Sequence, residues 1–450
     1  MERYLFVVVV VIVVIGGWVY FYGGLDDAHD NDIIIPEGAV ASFEEVSGEV
    51  GLEYVQSVRS VNNDLDYLKE SMPELFSGGA AVGDYDDDGF IDIYVTVLDG
   101  KDKLFRNVEG EFVDVSEEMG LNLDVKSNKA EFGDIDNDGD LDLVVSTIDD
   151  RYYLFVQDNG GFVEEGVARG LGTEIHKGFS VDFFDYDNDG WLDIKTNDWN
   201  GYGGGKDSGY GGLFRNDRGK FVEVSDEVGV KMITSQEFGD LSFDSEFGDF
   251  DNDGLMDLIV AADFGNSKLY WNSGNNRFVD GTVDSGVGLD EFGMGVSVGD
   301  YDNDSLEDFF VSSIYCEGED CFEGMSGNKL YRNNGDRRFS EVAVEVGVED
   351  GGWGWEAEFF DYDLDKDLDL IMARGMKDKI MGEHDFTSYA VVLWENDDGM
   401  FRDVTEEMGL GIIGEGRDVV ILDYDNDKDL DVFVVRNGEG GLLFRNGLIG

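Results

Sequence analysis

The sequence predicts an all-β protein, a seven-bladed β-propeller with four-stranded blades, and three observations predict it. A comb of four aspartates recurs seven times along the 450 residues. Four short strand-like segments accompany each comb. Fragments at the two ends of the chain supply what each other lacks.

Each comb spans nine residues, with aspartate at the first, third, fifth and ninth places, as in "DIDNDGDLD". The seven sets are Asp84, Asp86, Asp88 and Asp92; Asp134, Asp136, Asp138 and Asp142; Asp185, Asp187, Asp189 and Asp193; and Asp249, Asp251, Asp253 and Asp257. They continue with Asp300, Asp302, Asp304 and Asp308; Asp361, Asp363, Asp365 and Asp369; and Asp423, Asp425, Asp427 and Asp431. Ca²⁺ takes six to eight oxygens, which a short loop supplies when alternate side chains point inward and a glycine permits a sharp turn. Without a cation, four converging carboxylates repel one another. A single copy also reads as an acidic surface turn, but chance does not repeat four fixed positions seven times. The recurrence selects a metal site, with up to seven Ca²⁺ per chain. An EF-hand is excluded, because its twelfth residue is a bidentate Glu and here that place is Val145.

First aspartates follow one another at intervals of 50, 51, 64, 51, 61 and 62 residues, a period that suits one propeller blade. One strand leads into each comb and a second, such as "LDLVV", follows it. The third carries "LFRN", "LYWN" or "LYRN", and after a Gly, Asn or Asp turn the fourth begins segments such as "FVDVSEEMGL". Residues 43–52, "FEEVSGEVGL", match the fourth segment with no comb before them, and the last unit stops at "LLFRNG" without one. A ring in which the first strand of the chain completes the last blade joins these pieces and removes exposed sheet edges. A linear solenoid would need end caps, and none is visible.

These residues resemble a known family. "FGDxDNDGxxDL", "LYRNNGDRRF" and "FxDVTxxxGL" are similar to the FG-GAP or VCBS repeats of integrin alpha heads, and in order and wording to the cartilage acidic protein and UnbV group. The resemblance covers residues 41–450 and implies a seven-bladed propeller whose loops bind Ca²⁺ through the aspartates named above. The sequence ends at Gly450 without the additional C-terminal module often found in that group, so functions that depend on that module are not implied.

The predicted organisation is a membrane anchor or signal segment at 1–22, an acidic stalk at 23–40 and the propeller at 41–450. Residues 5–22 carry no charge and are long enough to span a bilayer as a helix. Arg3 precedes them and Asp26, Asp27, Asp30 and Asp32 follow, which places the body outside the cytoplasm. A cleaved signal peptide is the rival, against which stand the absence of a small-x-small site and the presence of Trp18, Tyr20 and Tyr22. Cys316 and Cys321 are spaced for a local disulfide, or for two unpaired thiols. A net charge of -69 exceeds what seven divalent ions neutralise; it argues against nucleic-acid partners and suits either solubility or a salty habitat.

In such blades the combs and the Gly or Asn turns share one face, and the long insertions lie on the other: 48–77, 197–212, 231–246, 312–328 and 374–390. Variable loops on a rigid scaffold carry function. Two classes compete. One is an extracellular protein- or carbohydrate-binding, adhesion-type module with Trp199, Tyr202, Tyr210 and Trp353 as contacts, although "GGWGW" at 351–355 also suits packing near the central channel. The other is a lyase or hydrolase of extracellular polysaccharide, for which His176 and His384 lie near or within loop-face segments, each more simply read as a lone exposed histidine. No catalytic motif appears. Ser305, Lys366 and Lys428 replace the comb glycine in the last three copies and Leu364 replaces the usual Asn, so weaker metal binding is expected there, weakest at 361–369.

Overall fold

The computed structural model describes residues 12–15, 18–21, 40–56, 73–158, 160–172, 175–200, 210–232, 239–318, 321, 323–376 and 386–449. Seven four-stranded antiparallel sheets form the seven blades; in six of them the strands pair in chain order, and in the seventh the outer strand comes from the start of the ring. In every blade the second strand begins on the ninth aspartate of the comb, as in Asp92–Val95, Asp142–Thr147 and Asp431–Arg436. Most of these second strands read as near-continuous apolar runs, for instance "DLIVAA" at Asp257–Ala262, because they are sandwiched between neighbouring blades and buried along all or nearly all of their length; "DIKTND" at Asp193–Asp198 is the polar exception. The outer strands alternate, with Phe112, Phe162, Phe221 and Phe278 turned inward and Val113, Val163, Val222 and Val279 exposed.

The ring closes as the end fragments require. Phe43–Glu45 adds to Leu442–Asn446 with Phe43 opposite Asn446 and Glu45 opposite Phe444. The Val46 N–H donates to the Leu443 carbonyl at 2.9 Å, extending the join.

The "SEEMGL"-type segments form single helical turns after the outer strand, a detail the repeat pattern alone does not give: Ser116–Met119, Gly166–Arg169, Ser225–Val228, Thr282–Ser285 and Ala343–Val346. Each ends on a glycine in the left-handed conformation. At Gly120 a Cβ would sit 2.8 Å from the Phe162 carbonyl of the next blade, so the turn also brings two blades together.

The N-terminal helix expected over 5–22 finds no support among the described residues. Ile12–Ile15 and Trp18–Phe21 pair as an antiparallel ribbon, not as parts of one helix over 5–22. Their β-branched content favours strand, and Gly16 and Gly17 stand between them. No helix among the described residues is long and apolar enough to cross a membrane. The rest of 1–22 and the stalk at 23–39 lie outside the described residues.

The first strands line a central channel, running from the loop face to the combs. Nearest the loop face stand Lys129, Asp244, Glu356 and Asp418, and two residues further along stand Glu131, Asp182, Glu246 and Glu358. An aromatic cluster of Phe76, Phe179, Trp199, Phe243, Trp353 and Trp355 covers the loop-face mouth, with the Phe76 ring 5.2 Å from Trp355 and 5.5 Å from Trp199.

Candidate metal centres and the loop face

The comb geometry is the same in all seven blades. The two oxygens of the first aspartate accept the N–H groups of the fifth and sixth residues; in blade 1 these are Asp88 at 3.0 Å and Gly89 at 2.8 Å. The fifth aspartate accepts the N–H of the seventh residue, as Asp138 does from Asp140 at 3.0 Å. The ninth aspartate is buried in the sheet and accepts the N–H of the third-strand Asn or Gln, as Asp193 does from Asn216 at 2.7 Å. These bonds turn the carboxylates toward one point. In the first four combs the first, third and ninth aspartates each bring an oxygen within 4.8 Å of the others, and in the fifth comb the first, third and fifth do so.

Oxygen chemistry and unmet bonding both fit a hard cation. One oxygen of the third aspartate is buried without a hydrogen-bond partner in five combs, at Asp136, Asp187, Asp302, Asp363 and Asp425, and so is one oxygen of Asp257. Burial pushes the ninth carboxyl up to about 8 at Asp92, Asp193, Asp257, Asp308, Asp369 and Asp431, and to about 7 at Asp142. A buried carboxylate facing other carboxylates ionises fully at neutral pH only when a cation neutralises the set. The residues present therefore suit a divalent ion with all-oxygen donors.

Two residues in each comb, not one, are left-handed. The sixth is so at Gly89, Gly139, Gly190 and Gly254 and also at Ser305, Lys366 and Lys428, with φ of 70°, 82° and 80° in the last three. The fourth is left-handed throughout, from Asp87 at 56° to Asn426 at 61°, with Leu364 at 59°. Asn is the side chain that tolerates this conformation best after glycine, which explains its recurrence at the fourth place. Leu364 and Lys366 thus place two unfavourable residues in one comb.

On the loop face the expected contacts are redistributed. Trp199 and Trp353 are 2% and 3% exposed and belong to the aromatic cover of the channel, so they are not surface contacts. The Trp199 indole N–H donates to Asp263 at 3.1 Å. Trp353, as the "GGWGW" reading anticipates, packs beside the channel, 6.0 Å from Trp355 and stacked on it. Tyr210 is half-buried with the Lys231 ammonium 5.6 Å from its ring centre, while Tyr202 and His384 lie outside the described residues. His176 is not an exposed loop histidine: it is 7% exposed, its Nδ1 lies 2.9 Å from Asp198, and its ring packs 4.6 Å from Tyr152. Cys316 and Cys321 are joined in a disulfide.

Residues 84–145, 134–194, 249–311 and 320–372 match the model of the FG-GAP-like repeat, together about half of the chain. The chain belongs to the FG-GAP-like repeat family. No curated protein matches the sequence. Among solved structures it is similar to an Agrocybe aegerita lectin that recognises non-reducing terminal N-acetylglucosamine, at 16% identity and a TM-score of 0.42, covering 82% of this chain and 94% of that one. It is also similar to BBS1N in complex with ARL6DN, at 11% identity and a TM-score of 0.48, covering 84% and 94%. Neither likeness identifies a ligand for this FG-GAP chain.

Two features of the FG-GAP ring have no counterpart in the motif reading. One is the channel, where Lys129 lies 2.6 Å from Glu356 and 2.7 Å from Asp418. Burial opposes its charge, yet Asp418 and Glu356 hold its pKa above the ordinary lysine value. Glu246 and Glu358 lie in the same bore, and burial together with neighbouring carboxylates raises both well above the usual range. The signal existed as acidic residues alternating within "KAEFG", "DSEFG" and "EAEFF", but only ring closure brings them together. The other is the third-strand Asn, visible as a repeat and without an assigned role.

Proposed function

We propose that this FG-GAP propeller is a calcium-stabilised recognition module, held outside the cytoplasm, that binds a protein or carbohydrate through its loop face. The observation that carries the reading is the asymmetry of the ring. Seven near-identical acidic loops occupy one face, and every long insertion leaves from the other. A rigid wheel fixed by cations on one side and varied on the other is built to display loops. Propellers in general serve as scaffolds for binding, and sites are grafted onto them.

Calcium is favoured over other divalent ions because the combs offer carboxylate and backbone oxygens only, in loops short enough to bend around a large cation. Location outside the cytoplasm is supported by the disulfide, which persists in oxidising compartments. It is supported too by the uncharged run at 5–22, which within lipid would satisfy its backbone internally as a helix. Retention of the full chain in membranes after alkaline carbonate washing would support anchoring, and complete release would count against it.

The function is tested by exposing the calcium-loaded ring to a glycan array and a polysaccharide panel, followed by capture of surface proteins. Saturable binding without product is expected. A new reducing or unsaturated sugar end would sink the binding reading in favour of a polysaccharide lyase or hydrolase.

A further inference from the structure

The third-strand Asn occupies a position that joins adjacent metal loops. In blade 3 the Asn216 backbone N–H donates to Asp193, the ninth aspartate of its own comb, at 2.7 Å. Its side-chain Nδ2 donates to the Leu192 carbonyl of that comb and to the Ile135 carbonyl of the preceding comb, both at 2.8 Å. An amide nitrogen has two hydrogens, and here each holds a different metal loop.

The arrangement repeats around the whole ring. Across blades, Asn272 reaches the Tyr186 carbonyl at 3.1 Å, Asn333 reaches Phe250 at 2.8 Å, Asn396 reaches Tyr301 at 2.8 Å and Asn446 reaches Tyr362 at 2.8 Å. Asn107 reaches Tyr424 at 2.7 Å and so spans the closure of the ring, and in blade 2 Gln157 reaches Tyr85 at 3.0 Å. Each target is the second residue of the neighbouring comb. The N–H of that same residue donates to its own ninth aspartate in six combs, as Tyr186 does to Asp193 at 3.1 Å. In the fourth comb the corresponding Asp257 oxygen has no partner, so the chain of bonds has one open link. Between some blades the comb Asn adds a second tie: Asn137 to the Gly190 carbonyl at 3.0 Å, Asn188 to Gly254 at 3.2 Å and Asn426 to Gly89 at 2.7 Å. Leu364 has no polar group with which to make that tie.

We propose that Asn107, Gln157, Asn216, Asn272, Asn333, Asn396 and Asn446 are positioning residues for the metal loops, each holding two adjacent combs in binding geometry and thereby coupling ion binding around the ring. The proposal rests on the metal reading above. An ion that fixes a ninth aspartate fixes the peptide bonded to it, and the latch carries that order to the next blade. The second ion then meets a loop already in place, which is positive coupling in the thermodynamic sense.

Calcium titration by calorimetry, with the wild type, Asn216→Ala and Asn216→Gln compared, tests this. The wild type should bind with a Hill coefficient above one. Asn216→Ala keeps the backbone N–H but frees the Ile135 and Leu192 carbonyls, so two sites should weaken by about tenfold, the usual scale for losing an outer-shell partner. Asn216→Gln should restore the inter-blade part of the loss, because Gln157 already makes that bond in blade 2. If Asn216→Ala does not fold, Gln157→Met removes a single inter-blade bond and should weaken the first and second combs. Stoichiometric calcium with an unchanged titration in the variants, accompanied only by an equal loss of melting temperature with and without the ion, would overturn the coupling alone. A wild type that binds no calcium would overturn the metal reading itself.

Discussion

On the comb face all seven blades repeat nine residues with nearly the same internal hydrogen bonds, whereas on the loop face equivalent connections differ greatly. Blade 4 passes from Ala262 to Lys268 in a few residues, while blade 3 takes the whole stretch from Asp198 to Leu213 for the same step. The comb face is fixed by charge: aspartate spacing, two left-handed residues and carboxylates turned toward one point leave little freedom. The loop face is fixed by apolar burial, through Phe76 and the tryptophans over the channel mouth. Regularity therefore follows the interaction that must be satisfied in every blade, and variation is tolerated where only one cluster needs filling.

The strongest way to break this comparison is to remove the cation. A ligand at a hundred times its dissociation constant adds about 2.7 kcal/mol per site, so several sites together should make chelation the largest single destabilisation of the ring. Melting temperature measured with and without chelator checks it, and Mg²⁺ should restore little because it demands a tighter octahedron. A melting curve indifferent to chelator would put the two faces on the same footing.

Next in size is Phe76→Ala, expected to cost about 3–5 kcal/mol in urea unfolding, the usual range for emptying a buried aromatic site. The loss should be alike with and without calcium, since Phe76 touches the aromatic cover and no comb. A calcium-dependent loss would mean that the faces communicate through the channel.

The channel predicts a smaller, pH-dependent effect. Glu246 faces Asp182, Asp244, Glu358 and Glu131, and Lys129 lies above it in the bore. Burial and these carboxylates raise the folded pKa of Glu246 and Glu358 above the unfolded value. The folded state then holds more protons, and stability is lost as pH rises through the folded pKa. In saturating calcium the melting temperature should fall between pH 5 and pH 8, and Glu246→Gln should flatten that slope. A profile that rises over this range would show the bore carboxylates to be well solvated.

The smallest effect is the most local. Lys366→Gly should relieve roughly 1 kcal/mol of left-handed strain and tighten the sixth comb, as read by calcium titration. Equal affinity before and after would show that the neighbouring charge of Lys366, not its backbone, sets that site.

The combs, the four strands per blade and the joining of 43–45 to the last blade were legible because each depends on spacing within a few residues or on a missing partner segment. The exposure of Trp199 was misjudged because a glycine-rich loop says nothing about Phe76, distant in sequence, packing against it. His176 was misread for the same reason, since its partner Asp198 lies on the neighbouring strand of the ring. The run at 5–22 shows a different limit: length and hydropathy fit a spanning helix, yet Val and Ile suit strands equally well where no lipid compels a choice. The role of Asn216 and its equivalents was hidden because one of each pair of bonds crosses between blades.

The seam between Phe43–Glu45 and Leu442–Asn446 sets a timetable for the newborn chain. Ser47 reaches the Leu443 N–H across a separation of 396 residues, so at ordinary ribosomal speed the first strand waits roughly 20 to 80 s for its mate. Until Leu442–Asn446 has been made, six blades stand as an open arc with a bare edge at the end. Whatever guards that arc from sticking to its neighbours, whether a chaperone or its own dense negative charge, acts before the wheel exists.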